Sequence, residues 1–264
     1  MESPIITLTT DWGYQDFFAG MVKGKLYSRI ANLRVVDLTH GVKQFNIPCA
    51  AFVVRHACLG FPKGTIHIID VDSQESATAA FVIVEYKEQY YICTDNGLPY
   101  AVFGNNFTQV VTIPNNPDSV FHTFAAYDRF CEIAIQLANG KRPEELGVRK
   151  EGLNPASSYT YITMGNMLKV NVAYIDAYGN AYLGITYDEF RNIQRGRPFR
   201  LDANGNTITA ISNAYGSSDK TDMRAKEALT VSSTGVLEIS LYHASAAQLL
   251  GLCVDETVSF TFIG

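Results

Sequence analysis

Apolar and polar positions change rhythm along the chain. Residues 5–9 (IITLT) form a β-branched run that stops at Asp11 and Gly13, the pattern of a buried strand entering a turn. Over residues 17–30, apolar side chains recur near helical spacing (Phe18, Met21, Val22, Leu26, Ile30), which predicts a helix. The same reading predicts strands at 34–38, 65–71, 80–86 and 90–94. It predicts helices at 48–59, with Pro48 in the first turn, and at 127–139, stopped by Gly140. Strands alternating with helices imply an α/β domain with a mainly parallel sheet over residues 1–160.

The texture then changes. Residues 152–160 (GLNPASSYT) are rich in linker types. Beyond them short strands are predicted at 167–175, 181–185, 207–211, 228–231, 236–241 and 257–262, split by Gly, Asn, Asp and Ser, with one short helix at 246–250. This pattern predicts a smaller all-β, barrel-like domain over residues 161–264.

In open α/β sheets ligands bind beyond the carboxyl ends of the strands. Asp11, Asp72 and Asp95 each follow a predicted strand. Asp11 suits either a ligand contact or the cap of the following helix. Strand alternation puts Asp70 and Asp72 on one side, and Glu75 extends them into an acidic loop. Such a loop can make Glu75 or Asp72 a general base with a pKa raised by like-charge crowding, bind a divalent cation, or simply be solvated around one structural aspartate.

Composition narrows the partners. Of 264 residues 47% are hydrophobic and 18% charged, as in a folded globular protein, and the net charge of -5 leaves no basic surplus for nucleic acid. No apolar run reaches the ~18 residues a membrane helix needs, and the first residues do not read as a signal peptide. Five scattered cysteines without a C-x-x-C pair suit reduced, mostly buried thiols in a cytoplasmic protein and no metal site. Gly-x-Gly-x-x-Gly, Walker and G-x-S-x-G motifs are absent. His40, His56, His67 and His243 carry no visible chemistry.

Six segments, in order, carry a resemblance: TTDWGYQDFFAGMVKGKL (9–26), VVDLTHGVKQFNIPCAAFVV (35–54), FPKGTIHIIDVD (61–72), TDNGL (94–98), YIDAYGNAYLGI (174–185) and GVLEISLYHASAAQLLGL (235–252). In these the chain resembles the S-adenosyl-L-methionine (SAM) hydroxide adenosyltransferase family, relatives of the fluorinase and chlorinase enzymes. The resemblance implies an α/β N-terminal domain, a β-barrel-like C-terminal domain, and a homotrimer with the site between subunits. It implies displacement at the ribose C5′ of SAM by water, giving adenosine and methionine, with no cofactor. Asp11 would then hold the ribose diol. Tyr178 and Tyr215 would face the adenine and Asn180 would read it. Asp16 and Asp176 would take the ligand ammonium and Ser233 its carboxylate, with Phe45 along the amino acid end. As a plainer alternative, Phe45 suits the core and residues 178–180 a simple turn.

The family's catalytic aspartate corresponds to Asp72. Its arginine falls on Ala79 and its histidine on Ala125, within 123–128 (TFAAYD). Glu75 and His122 are the candidate substitutes. A halogenase reading is disfavoured: Glu75 stands at the halide-contacting threonine, and Ala126 lacks a hydroxyl. Two alternatives to hydrolysis stay open: a non-catalytic binder of SAM or adenosine, and an enzyme acting on another adenosyl or nucleoside ligand.

Overall fold

The structure is a computed structural model and describes residues 3–74, 76, 78–114, 123–156, 161–215 and 227–264. Its contacts divide the chain into two units, Met1–Ser158 and Tyr159–Gly264.

The first unit runs β1 (Ile5–Thr10), α1 (Phe18–Arg29), β2 (Arg34–Thr39), α2 (Ile47–Ala57), β3 (Ile66–Asp70), β4 (Phe81–Tyr86), β5 (Gln89–Thr94), α3 (Leu98–Phe103), β6 (Gln109–Thr112), α4 (Cys131–Ala138) and β7 (Val148–Lys150). Seven strands form one sheet in the order β2-β1-β3-β5-β4-β6-β7. β1 pairs in parallel with β2 and β3, and β3 with β5, whereas β4/β5, β4/β6 and β6/β7 are antiparallel. The expected mainly parallel sheet is therefore mixed. The cause is local. Residues 87 and 88 join β4 to β5 as a two-residue turn with both φ positive (49° and 60°), which forces an antiparallel hairpin.

β1 and β3 are buried on both faces, as β-branched strands in the middle of a covered sheet should be. Ile6, Leu8, Ile66 and Ile68 pack with Val22 and Leu26, one turn apart on α1, and with Phe130 and Ala134 around α4. α2 starts where Asn46 Oδ1 accepts the Cys49 N–H at 2.8 Å, with Pro48 in the first turn. A π-helical turn, Ala126–Phe130, leads into α4.

The second unit holds β8 (Tyr161–Met164), β9 (Met167–Ile175), β10 (Ala181–Thr186), α5 (Tyr187–Gln194), β11 (Phe199–Ala203), β12 (Asn206–Ile208), β13 (Ile211–Ser212), β14 (Glu227–Val231), β15 (Val236–Leu241), α6 (Ala246–Leu249) and β16 (Thr257–Phe262). Among the described residues its nine strands follow the path β12-β11-β16-β9-β10-β15-β14-β13, with β8 beside β9. One pair, β13/β14, is parallel. β12 approaches β14 without pairing to it, so the sheet curls but stays open among the described residues. The barrel-like expectation is met as a curled, open half-barrel, and the all-β expectation is corrected to a unit that carries helices beside a mixed sheet. Helix α5 is the omission. Thr186 Oγ1 accepts the Glu189 N–H while the Glu189 carboxylate accepts the Thr186 N–H, a reciprocal capping box that starts the helix. Phe190 on α5 is fully buried against Phe199 and Phe260.

No helix among the described residues is long and apolar enough to cross a membrane. All five cysteines are thiols, four of them buried.

Candidate active site

The loops after β1, β2 and β3 meet residues 123–125 around a cleft of about 590 Å3 in the first unit. It lies at the carboxyl ends of the parallel strands, where the topology leaves backbone and side chains free to meet a ligand.

The β1 loop supplies Asp11, Trp12 and Asp16. Asp11 caps no helix: α1 begins after Phe17 and has no side-chain cap. Instead, Asp11 Oδ2 accepts the Phe45 N–H at 2.9 Å. That bond fixes Phe45 in a left-handed conformation, φ 60°, with its ring 71% exposed on the cleft wall rather than in the core.

Asp72 is also left-handed, φ 50°, and its side chain is exposed at the cleft. A non-glycine residue held there costs about 1–3 kcal/mol and needs support. Asn96, in the D-N-G turn after β5, gives it: Asn96 Nδ2 donates to the Asp72 carbonyl at 2.9 Å and the Val71 carbonyl at 3.3 Å. Asp95 beside it is fully buried, pairs with the Lys150 ammonium and accepts the Asn154 N–H, so it serves the fold. Two strained residues facing one cleft, each held by a named hydrogen bond, mark a preorganised site.

Asp70 ends β3 with 5% exposure. Its Oδ2 accepts the Trp12 indole N–H at 2.7 Å, while Oδ1 and the neighbouring Ser73 Oγ are buried without a well-formed hydrogen bond among the described residues. Burial pushes the Asp70 carboxyl up to about 6, with the charge of Asp11 adding to the shift and Ser73 and Trp12 opposing it. Trp12 is itself wedged, stacked on His40 at 5.6 Å and edge-on to Phe124 at 5.1 Å. His40 is buried, bonds Thr10 Oγ1 through Nδ1, and titrates below its ordinary range because burial outweighs the attraction of Asp37.

The lining is therefore four carboxylates (Asp11, Asp16, Asp70, Asp72) and four aromatic rings (Trp12, Phe18, Phe45, Phe124), with no Lys, Arg or His side chain among the described residues. Ala125, at the place of the family histidine, also lines it. Glu75 and His122 lie outside the described residues. No group of three or more His, Cys, Asp or Glu side chains is gathered for a metal ion among the described residues.

The remaining expected ligand residues belong to the second unit. Asp176 Oδ1 accepts the N–H groups of Tyr178 and Asn180, both at 2.9 Å, and its Oδ2 accepts Asn180 Nδ2 at 3.0 Å. Both side chains thus build the turn that presents Tyr178, whose ring is 82% exposed. Tyr215, also exposed, donates its hydroxyl to Glu238 Oε2 at 3.3 Å. Ser233 is exposed in the turn after β14.

Sequence reasoning missed the bond from Trp12 to Asp70, the Asn96 clamp and Glu238. Glu238 sits fully buried in β15, its carboxyl raised mainly by burial and held by Tyr215 and Tyr182. The available signal was an acid inside an apolar run, IIDV or VLEISL, which demands a buried donor.

Comparison with known proteins agrees with this architecture. The SAM hydroxide adenosyltransferase N-terminal domain matches residues 6–147 and the C-terminal domain of the same family matches residues 170–259. The chain is 26% identical over 257 residues to an (R)-S-adenosyl-L-methionine hydrolase of Methanocaldococcus jannaschii, covering 94% of this chain and 92% of that protein. It is 24% identical to a protein of the same name from Salinispora tropica, covering 98% of each. The fold matches a crystal structure of an uncharacterized conserved protein from Thermotoga maritima with a TM-score of 0.85, at 24% identity over 97% of this chain and 99% of that one. With both domain matches in register across its two units, the chain belongs to the SAM hydroxide adenosyltransferase family.

Proposed function

We propose that the protein hydrolyses SAM to adenosine and methionine by attack of water at the ribose C5′. The observation that carries this reading is the charge of the cleft: four carboxylates and four aromatic faces, with no cationic side chain among the described residues. A sulfonium and an ammonium are attracted to such a lining, through carboxylates and through ring faces. An anionic nucleophile is repelled. One carboxylate about 4 Å from a halide costs about 4 kcal/mol at an effective dielectric constant of about 20, which favours neutral water as the attacking group. The named activity of the relatives, (R)-SAM hydrolase, supports the same reaction.

In this reading Asp72 orients the attacking water and Asp11 accepts from the ribose diol. Asp16 takes the ligand ammonium and Phe45 packs along the amino acid end. From the second unit, Tyr178 and Tyr215 face the adenine, and Asn180, its Nδ2 committed to Asp176, offers its carbonyl oxygen to the adenine amine. Asp176 adds negative charge near the ammonium and Ser233 bonds the ligand carboxylate. Glu75 and His122, outside the described residues, stay candidate substitutes for the family's missing catalytic groups. Methionine leaves as a neutral thioether, so positioning and desolvation of water carry the chemistry. No cofactor is required. The proposal includes a homotrimer in the cytoplasm, and light scattering giving a monomeric mass would overturn that assembly.

Incubation with SAM, followed by mass spectrometry, is expected to give equimolar adenosine and methionine, with at least about a 100-fold loss in Asp72→Ala. A second reading, a non-catalytic SAM binder, is favoured by alanine at positions 79 and 125. Ligand binding by calorimetry without products above the uncatalysed background would establish it instead.

A further inference from the structure

We propose that Asp70 is the general base of this site, receiving a proton from the attacking water, and that Trp12 sets its basicity. The proposal rests on the hydrolase reading. Among the described residues Asp70 is the one cleft carboxylate that is buried, with one oxygen tied to Trp12 Nε1 at 2.7 Å and the other without a well-formed hydrogen bond. An unpaired buried acceptor on a cleft wall is a place for a water or a substrate hydroxyl. The neighbouring Ser73 Oγ, buried and without a well-formed hydrogen bond among the described residues, lies close enough to the carboxyl to lower its pKa and offers that water a second contact. The Asp72 side chain is exposed, so it can orient water but is not desolvated in the same way.

A water oxygen forms the C5′–O bond as the C5′–S bond breaks, and the bonding pair goes to sulfur, which becomes the thioether of methionine. One water proton passes to the free oxygen of Asp70; the other remains on the 5′-hydroxyl of adenosine. Asp70 then returns its proton to solvent.

Charged and titratable groups near Asp70 are Asp11 from the β1 loop, Asp72 in its own loop, and the Cys131 thiol from α4. Burial, with a smaller contribution from Asp11, raises the carboxyl to about 6, while Ser73 and then the Trp12 hydrogen bond oppose that rise. Turnover should therefore climb with pH through about 6 and level above it, because the base must be ionised.

The test is the pH profile of adenosine formation for the wild type, Asp70→Asn and Trp12→Phe, with SAM binding followed by calorimetry. Asp70→Asn should lose at least about 100-fold in kcat, keep KM within about threefold, and lose the acid limb. Trp12→Phe removes a donor to the carboxylate and should move the acid limb to higher pH, by about half a unit or more. Asp70→Asn with kcat close to wild type, or an acid limb unmoved in both variants, would overturn the assignment while leaving hydrolysis intact. A wild type that makes no adenosine would overturn both. If Asp70→Asn does not fold, as judged by circular dichroism, the Trp12→Phe limb decides.

Discussion

Two aspartate sites, each following a strand, behave in opposite ways. In the second unit Asp176 turns both carboxylate oxygens inward, onto two backbone N–H groups and the Asn180 amide. In the first unit Asp11 gives one oxygen to a neighbouring loop, and Asp70 keeps one buried oxygen without a well-formed hydrogen bond among the described residues. An aspartate at or just beyond the end of a strand is thus either a structural brace or a poised chemical group. What decides is whether its own backbone consumes its lone pairs.

The brace can be broken by steric force. Gly179 has φ 82°, and a Cβ there would sit 2.0 Å from Ser245 Oγ and 2.9 Å from the Ser245 Cα. Gly179→Ala should destabilise the protein by about 3 kcal/mol in urea unfolding, combining overpacking with left-handed strain. Recovery of about half of that loss in Gly179→Ala with Ser245→Gly would tie the effect to this contact.

The poised site should instead fail in rate. Asn96→Ala releases the carbonyls of Val71 and Asp72 and lets Asp72 leave its left-handed conformation. The expected loss is about 10- to 100-fold in kcat with KM little changed, since a misplacement of about 1 Å has that consequence. A change in KM alone would mean that Asp72 contacts substrate rather than water.

Asp70 gives the most diagnostic effect, on stability. Burial lifts its folded pKa to about 6, above the 3.8 of an unperturbed aspartate, so the folded state holds the extra proton between these values. Stability is then lost as pH rises through this window, by up to about 3 kcal/mol above pH 6. Asp70→Asn should raise urea stability at pH 8 by about 1–3 kcal/mol and have little effect at pH 3. A variant more stable but slower is the signature of a strained functional group, whereas a less stable one would mark Asp70 as a brace like Asp176.

Much of this was legible in sequence. β-branched runs marked β1 and β3, and the aspartates after them marked the cleft. Asp11, Asp16, Phe45 and Asp72 do line one cavity. The antiparallel half of the first sheet was not legible, because its hairpin turn is Lys87-Glu88. Both residues have positive φ without the Asn or Gly that announces such a turn. Helix α5 was legible and overlooked: Thr186-Tyr187-Asp188-Glu189 is a capping box in plain text. The pairing of Trp12 with Asp70 was not, since it joins residues 58 positions apart through β1/β3 register, which periodicity does not encode.

The most direct test of the central claim is isotopic. The protein is incubated with SAM in H2(18)O containing chloride, and the products are resolved by mass spectrometry. The cleft as described predicts adenosine carrying one heavy oxygen at the 5′ position, unlabelled methionine, and no chlorinated nucleoside. Intact SAM recovered unchanged, or a chlorinated product, would contradict a carboxylate-lined cleft that admits a cation and lets water attack it.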